Sequence, residues 1–167
     1  QTSPQDPNRT KYRMQKAELL ILAYDRTSDN IYLKSAITEY ESLLAEMPNN
    51  INILNNMAFL LAEDNQRLTE ALEYSRRALD AMPDEPGVME TYAFVLYKNG
   101  QISQADKFVQ EALQQYNRQN RAVIPAVVYE HKGLIKEKLG NKNEALAAYK
   151  MALEKGLPTG RTVGDIY

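Results

Sequence analysis

One spacing constrains this chain more than any other. Ala36, Ala71, Ala105 and Ala145 recur at intervals of 35, 34 and 40 residues. Around each of them the same pattern returns at +4, +7 and +8: Tyr40, Leu43, Leu44; Ser75, Ala78, Leu79; Val109, Ala112, Leu113; Tyr149, Ala152, Leu153. Offsets of four, seven and eight fall on one face of an α-helix. Each anchor therefore opens an amphipathic helix, and the chain repeats that helix four times.

The stretch from Pro86 to Gln119 shows the full unit. Met89, Tyr92, Ala93 and Leu96 occupy i, i+3, i+4 and i+7 of a first helix. Gly100 supplies a residue able to take positive φ and stop it. Ser103 is placed to cap a second helix, with Asp106 three residues on as a weak capping box. A single hairpin of this kind leaves too much apolar surface exposed, so it needs neighbours of its own sort. Pro48 and Pro83, twelve residues after the first two anchors, end one helix and set the way into the next.

A helix–turn–helix unit of about 34 residues resembles the tetratricopeptide repeat. The second unit keeps Leu54, Met57, Ala58, Ala71, Ala78, Leu79 and Pro83 of that pattern. The third keeps Met89, Ala93, Leu96, Gly100, Ala105, Ala112 and Leu113, and the fourth keeps Tyr129, Gly133, Gly140, Ala145, Tyr149, Ala152 and Leu153. The resemblance covers roughly residues 10–157. It implies an all-α fold, an α-solenoid of helix–turn–helix repeats wound as a right-handed superhelix. The expected organisation is a flexible segment over 1–8, one repeat domain over 9–155 and a tail over 156–167. The units fall at about 9–48, 49–83, 84–119 and 120–157.

Departures from the pattern carry their own expectations. The first unit is three residues long between Tyr24 and Ala36, which predicts an enlarged turn at Thr27 to Asn30 with Ser28 or Asn30 as cap. The second unit offers Glu63, Asp64 and Asn65 where a turn glycine belongs. About six extra residues between Gln114 and Pro125 should lengthen one or both helices, with Pro125 tolerated only in a first turn. Lys132 and Lys136 stand at usually apolar positions, where their stems can pack while the amines reach water. The tail holds no cap helix. Either it folds over the last helix through Val163, Ile166 and Tyr167, or the chain continues; an uncapped end suits self-association.

Composition excludes several functions. With no cysteine, disulfides and thiolate metal sites are out. A net charge of −2 gives no global attraction to nucleic acid or anionic lipid. The cluster Arg9, Lys11, Arg13 and Lys16 reads as a solvated helix start. The longest apolar run, Leu19 to Ala23, is far too short to cross a bilayer. Residues 1–8 are polar and show no signal-peptide pattern. Neither cytoplasm nor periplasm is favoured. The 11 tyrosines fall mostly at packing positions, not on a basic stripe, so base stacking is not expected. His131, the single histidine, has Leu134 and Ile135 where helical ligand partners would sit, and reads as a surface or groove residue. No phosphate-cradling loop or paired-carboxylate pocket shows, so the chain reads as non-enzymatic, with no cofactor and no metal.

The family resemblance implies where a protein partner sits. First helices of the units line a concave groove, offering Asn52, Asn55, Asn56, Phe59 and Glu63, then Glu90, Thr91, Phe94, Tyr97 and Lys98, then Glu130, His131, Leu134 and Lys138. Asparagine donates and accepts at once, which suits the backbone of an extended peptide; aromatics on the same wall anchor apolar side chains. Asn55 and Asn56 fit groove and helix surface equally, whereas Phe94 favours the groove. The family's clamp for a chaperone's terminal carboxylate needs two lysines and an arginine. One frame finds Asn55, Phe59, Thr91, Val127 and His131 there, and the other finds Glu18, Leu22, Asn56, Gly87 and Thr91. Chaperone-tail binding is therefore disfavoured. The function expected is an interaction module that holds a peptide or helix of a partner in the groove. The alternatives are a self-associating scaffold, or a non-catalytic region of a larger protein.

Overall fold

The computed structural model describes residues 7–156, and among these all regular structure is helical. Eight helices follow one another: α1 (Pro7–Thr27), α2 (Asn30–Glu46), α3 (Ile51–Asp64), α4 (Leu68–Ala81), α5 (Pro86–Lys98), α6 (Ile102–Arg118), α7 (Ala126–Lys138) and α8 (Lys142–Glu154). Each packs most extensively on its hairpin partner, α1 on α2 through α7 on α8, and each hairpin then stacks on the next. The additional contacts of α3 with α5 and of α5 with α7 place odd-numbered helices side by side. This is the solenoid expected from the 34-residue register. Residues 1–6 and 157–167, and with them Val163, Ile166 and Tyr167, lie outside the described residues.

The anchor alanines explain the close stacking. Ala36, Ala71 and Ala105 are 0% exposed and Ala145 is 4% exposed. A methyl group at each contact lets helix axes approach to the short end of the usual range. Tyr40, Leu43, Ile53, Met57, Leu60 and Leu61 fill the first half of the core, and Leu96, Val109 and Ile135 fill the second. At Gly133 the approach is tighter than alanine allows, because a Cβ built there would lie 2.2 Å from the Tyr149 ring.

Helix ends follow local chemistry. Asn50 accepts from Ile53 N–H and caps α3. Gly100 and Gly140 adopt φ +78 and +80, and each sits in a six-residue turn: Gln101 N–H donates to Leu96 and Asn141 N–H to Lys136. Asn65 at φ 58 replaces the missing turn glycine of the second unit, as its tolerance of the left-handed region allows.

Several local expectations are corrected. Neither Ser28 nor Asn30 caps α2; Asp29 does, accepting from Ile31 N–H. The turn is not enlarged either: α2 begins at Asn30, six residues before Ala36, where α4, α6 and α8 begin three before their anchors, so the extra residues lengthen the start of α2. Ser103 lies inside α6, whose N-cap is Gln101 without a side-chain cap bond. Pro125 stands at the N-cap of α7 rather than in its first turn. The six-residue insertion lengthens α6 to 17 residues and then runs as a loop pinned to the α4–α5 turn, through Gln119 to Asp84 O (2.7 Å) and Arg121 to Glu85 (2.9 Å). The Lys136 amine does not reach water. It is bound by Asp106 and Glu144 at 2.9 and 3.0 Å, tying α7 to α6 and α8. Of the N-terminal cations, Arg13 and Lys16 pair with Glu39, and Arg13 also with Glu46, docking α1 on α2.

Candidate functional site: the wall of odd-numbered helices

Small residues set the register of the wall. Ala58, Ala93 and Gly133 occupy the same position of α3, α5 and α7, each buried where helices meet. Three residues earlier stand Asn55, Glu90 and Glu130, in one row across the three helices. All three line a pocket of about 430 Å³. Asp25 of α1, Phe59, Thr91, Tyr116 and the α7 start from Pro125 to Val128 complete most of its lining. Carboxylates from α1, α5 and α7 thus face one cavity, and among the described residues its lining holds neither lysine nor arginine.

The floor is aromatic. Phe59 and Phe94 have ring centroids 5.6 Å apart, and the His131 imidazole stacks on Phe94 at 3.9 Å with planes 7° apart. Tyr97 continues the stack at 6.4 Å, and the Lys98 amine lies 5.6 Å above the Phe94 ring. Phe94 is 2% exposed, so it supports the floor more than it faces a ligand. Phe59, Tyr97, Lys98 and Leu134 are half-buried and lie nearer the surface, and Asn52 is exposed.

His131 differs most from expectation. It is fully buried, and its Nδ1 is bonded to Glu90 across 41 residues of sequence. In the tautomer whose Nδ1–H donates to the carboxylate, Nε2 is an acceptor on the other side of the ring. Nε2 and the Oδ1 of Asn55 have no hydrogen-bond partner among the described residues. Asn56 is directed elsewhere: its amide donates to the Tyr40 hydroxyl at 2.8 Å and fastens α3 to α2. The Tyr116 hydroxyl is pushed up to about 12 by burial and by Glu90 and Glu85, so it stays protonated within the pocket.

Asp25, Tyr116 and Pro125 to Val128 are absent from the sequence-derived wall. Tyr116 is there because α6 runs past its usual length, and that reach has no signature in a helical pattern. The Glu90–His131 bond had a signal: Glu90 and His131 stand at positions five and six of successive units, which neighbouring helices bring together. Among the described residues no cluster of metal-ligating side chains occurs, and no helix is long and apolar enough to cross a membrane.

Comparison with known proteins bears on the whole chain. Residues 62–123 match a family model described as tetratricopeptide repeat. The TPR repeat-containing protein PA4667 of Pseudomonas aeruginosa is 27% identical over 104 residues, spanning 56% of this chain but 18% of that protein. TTC0263, a thermophilic TPR protein of Thermus thermophilus, superimposes with a TM-score of 0.67 at 19% identity, over 86% of this chain and 74% of that one. MamA (41-end) from Desulfovibrio magneticus RS-1 gives 0.56 at 13% identity, over 87% and 93%. At such identities the structural likeness speaks for the fold alone. Sequence register, stacked hairpins and these matches agree on the fold: the chain is an α-solenoid of helix–turn–helix repeats like those of tetratricopeptide-repeat proteins, with residues 62–123 matching that family's model.

Proposed function

We propose that the wall of α3, α5 and α7 binds an extended segment of a protein partner, seated over the pocket at Asn55, Glu90 and Glu130. The repeat architecture is that of a protein–protein interaction module in general; the groove as its binding surface is our reading. One observation carries it: three helices present the same repeat position to a single 430 Å³ cavity, whose Phe59 packs back into the Phe94–His131 stack. A pocket with an apolar base and a few convergent polar atoms fits a side chain of a bound segment. Buried aromatics in such a place concentrate binding energy. Asn52, Tyr97, Lys98 and Leu134 would flank that segment along the wall.

A photo-crosslinking amino acid tests this directly. Placed at Asn55 or Leu134 in the source cell, it should capture a partner protein; placed at Lys107 or Gln110 on the exposed face of α6, it should not. Capture from α6 alone would overturn the groove reading. A second reading, end-to-end self-association, draws on the exposed Leu146 and Met151 of α8 (42% and 37%). Light scattering that shows an oligomer dissolved by Leu146→Lys would favour it.

A further inference from the structure

We propose that copies of this chain stack head to tail, the α8 end of one against the α1 face of the next, so that the solenoid continues from molecule to molecule. The inference uses the two ends of the array rather than its groove. It rests on the end-to-end reading above and supplies that reading with its second surface.

Each first helix ends on a residue of positive φ: Ser28, Asn65, Gly100 and Gly140, at 53, 58, 78 and 80. These residues align the four helices. Twelve positions before them stand Ile53, Val88 and Val128, nine before stand Asn56, Thr91 and His131, and five before stand Leu60, Val95 and Ile135. All are 6% exposed or less except Asn56, which is half-buried. The preceding hairpin covers this stripe. Ile53 shares a core cluster with Leu43 of α2, Val88 with Ala78 of α4 and Val128 with Val109 of α6, and Asn56 bonds to Tyr40. The same offsets from Ser28 give Lys16, Leu19 and Ala23 on α1. No hairpin precedes α1 among the described residues, and Leu19 is 65% exposed, with Tyr12 two turns earlier at 68%.

Second helices carry the complementary half. One residue past the anchor alanines stand Ile37, Leu72, Asp106 and Leu146. Ile37 is 8% exposed, Leu72 packs on the clusters that hold Phe94 and Leu96 of α5, and Asp106 holds Lys136 of α7. Leu146 has no following hairpin among the described residues and is 42% exposed. Internal junctions also say which residues would meet. Asp106 reaches the residue four before Gly140, Tyr40 reaches the residue nine before Asn65, and Leu113 shares a cluster with Ile124, sixteen before Gly140. Carried to the free ends, these pairings set Leu146 beside Ala23 and Tyr24 of the next copy, Tyr149 beside Leu19 and Leu153 beside Tyr12. Apolar side chains then face each other at every level. One exposed leucine says little by itself. Two ends bearing opposite halves of an interface that α2–α3, α4–α5 and α6–α7 already make say more. Because the two faces differ, the contact is heterologous and adds copies in an open row.

Two charge blocks test this in the full chain. Leu19→Lys spoils one face and Leu146→Lys the other, at exposed sites where helicity by circular dichroism should not change. Light scattering over a concentration series should show the parent growing in mass and each variant staying monomeric. Mixed together, the variants should form a dimer and stop there, since each keeps the face that the other lost. The chain has no native cysteine. Under mild oxidation, Ala23→Cys and Leu146→Cys chains should therefore crosslink to each other at least about tenfold faster than either does to itself. A parent that is monomeric at every concentration would overturn end-to-end association altogether. An oligomer that survives Leu146→Lys, variants that fail to complement, or Ala23→Cys chains that join chiefly to themselves would overturn head-to-tail stacking while self-association stood. Partner capture at Asn55 or Leu134 reports on the groove independently of all these results.

Discussion

Replacing Gly133 with alanine is the sharpest test of how α7 is held. In an exposed helix interior that change stabilises by about 1 kcal/mol, because glycine is the poorer helix former. Here the added Cβ would sit 2.2 and 2.3 Å from Cε1 and Cδ1 of Tyr149, and 2.9 Å from Cζ. The ring has little freedom to yield. It is 6% exposed, and its hydroxyl donates to Glu137 at 2.7 Å. Overpacking of a tight interior costs about 1–3 kcal/mol. Complete expulsion of the ring sets the ceiling at about 4–6 kcal/mol, from the 150–250 Å² an aromatic side chain buries. Subtracting the propensity gain of about 1 kcal/mol leaves a net loss between the upper end of overpacking, about 2 kcal/mol, and the expulsion ceiling, about 3–5 kcal/mol, because a 2.2 Å approach is too close for small shifts to relieve. Urea unfolding followed by circular dichroism measures it, with hydrogen exchange showing whether α7 and α8 open first. In a Tyr149→Ala background the clash is gone, so Gly133→Ala should there stabilise by about 1 kcal/mol. A Gly133→Ala protein within about 0.5 kcal/mol of its parent, or an additive cycle, would refute the packing argument.

Alkaline pH should unfold the protein. Burial raises Tyr40, Tyr97 and Tyr149, takes Tyr116 from 10.0 to about 12, and the Asp106 and Glu144 carboxylates hold Lys136 above its usual value despite burial. Groups with raised folded values add stability that is complete below the unfolded value and is lost as pH climbs through the folded one. The melting temperature should therefore fall from about pH 10 upward, less steeply in Tyr116→Phe; a flat profile to pH 11 would contradict this. Glu90→Ala should cost about 1–3 kcal/mol or more by leaving the buried His131 Nδ1 unpartnered, whereas Glu90→Leu with His131→Phe should recover most of that loss in urea unfolding. Asn65→Gly should raise stability by up to about 1 kcal/mol and Asn65→Ala lower it by a similar amount, because the residue holds φ 58.

Periodicity made the scaffold legible, and it failed where contacts depend on chain length or on partners far apart. Ala36, Ala71, Ala105 and Ala145 announced the stacked hairpins because a repeat must meet the same neighbour every time. Extra residues were harder to place. Those in the first unit went into the start of α2, since a longer helix satisfies its own backbone, while those after Gln114 divided between α6 and a loop. Caps slipped by one residue at Asp29 because several adjacent polar side chains can bond to the same free N–H groups. Lys136 looked like a defect in an apolar pattern until Asp106, 30 residues earlier, came into reach. Asn56, grouped with Asn55 on adjacency, turned out to face Tyr40, because neighbours on a helix point about 100° apart.

The same geometry decides what the wall can and cannot attract. A repeat array reuses one position on every first helix, so the identity of that position sets the character of the whole groove. Where a carboxylate-binding array would supply lysine and arginine, this one supplies Asn55, Glu90 and Glu130, with Asp25 alongside. An incoming carboxylate would meet like charge from Glu90 and Glu130 on that lining. A guanidinium or ammonium meets the opposite. The sign of the preference thus follows from Glu90 and Glu130 at one repeat position with Asp25 beside them, and reversing Glu130 alone should weaken any cationic ligand while leaving the ring cluster of Phe59, Phe94 and His131 in place.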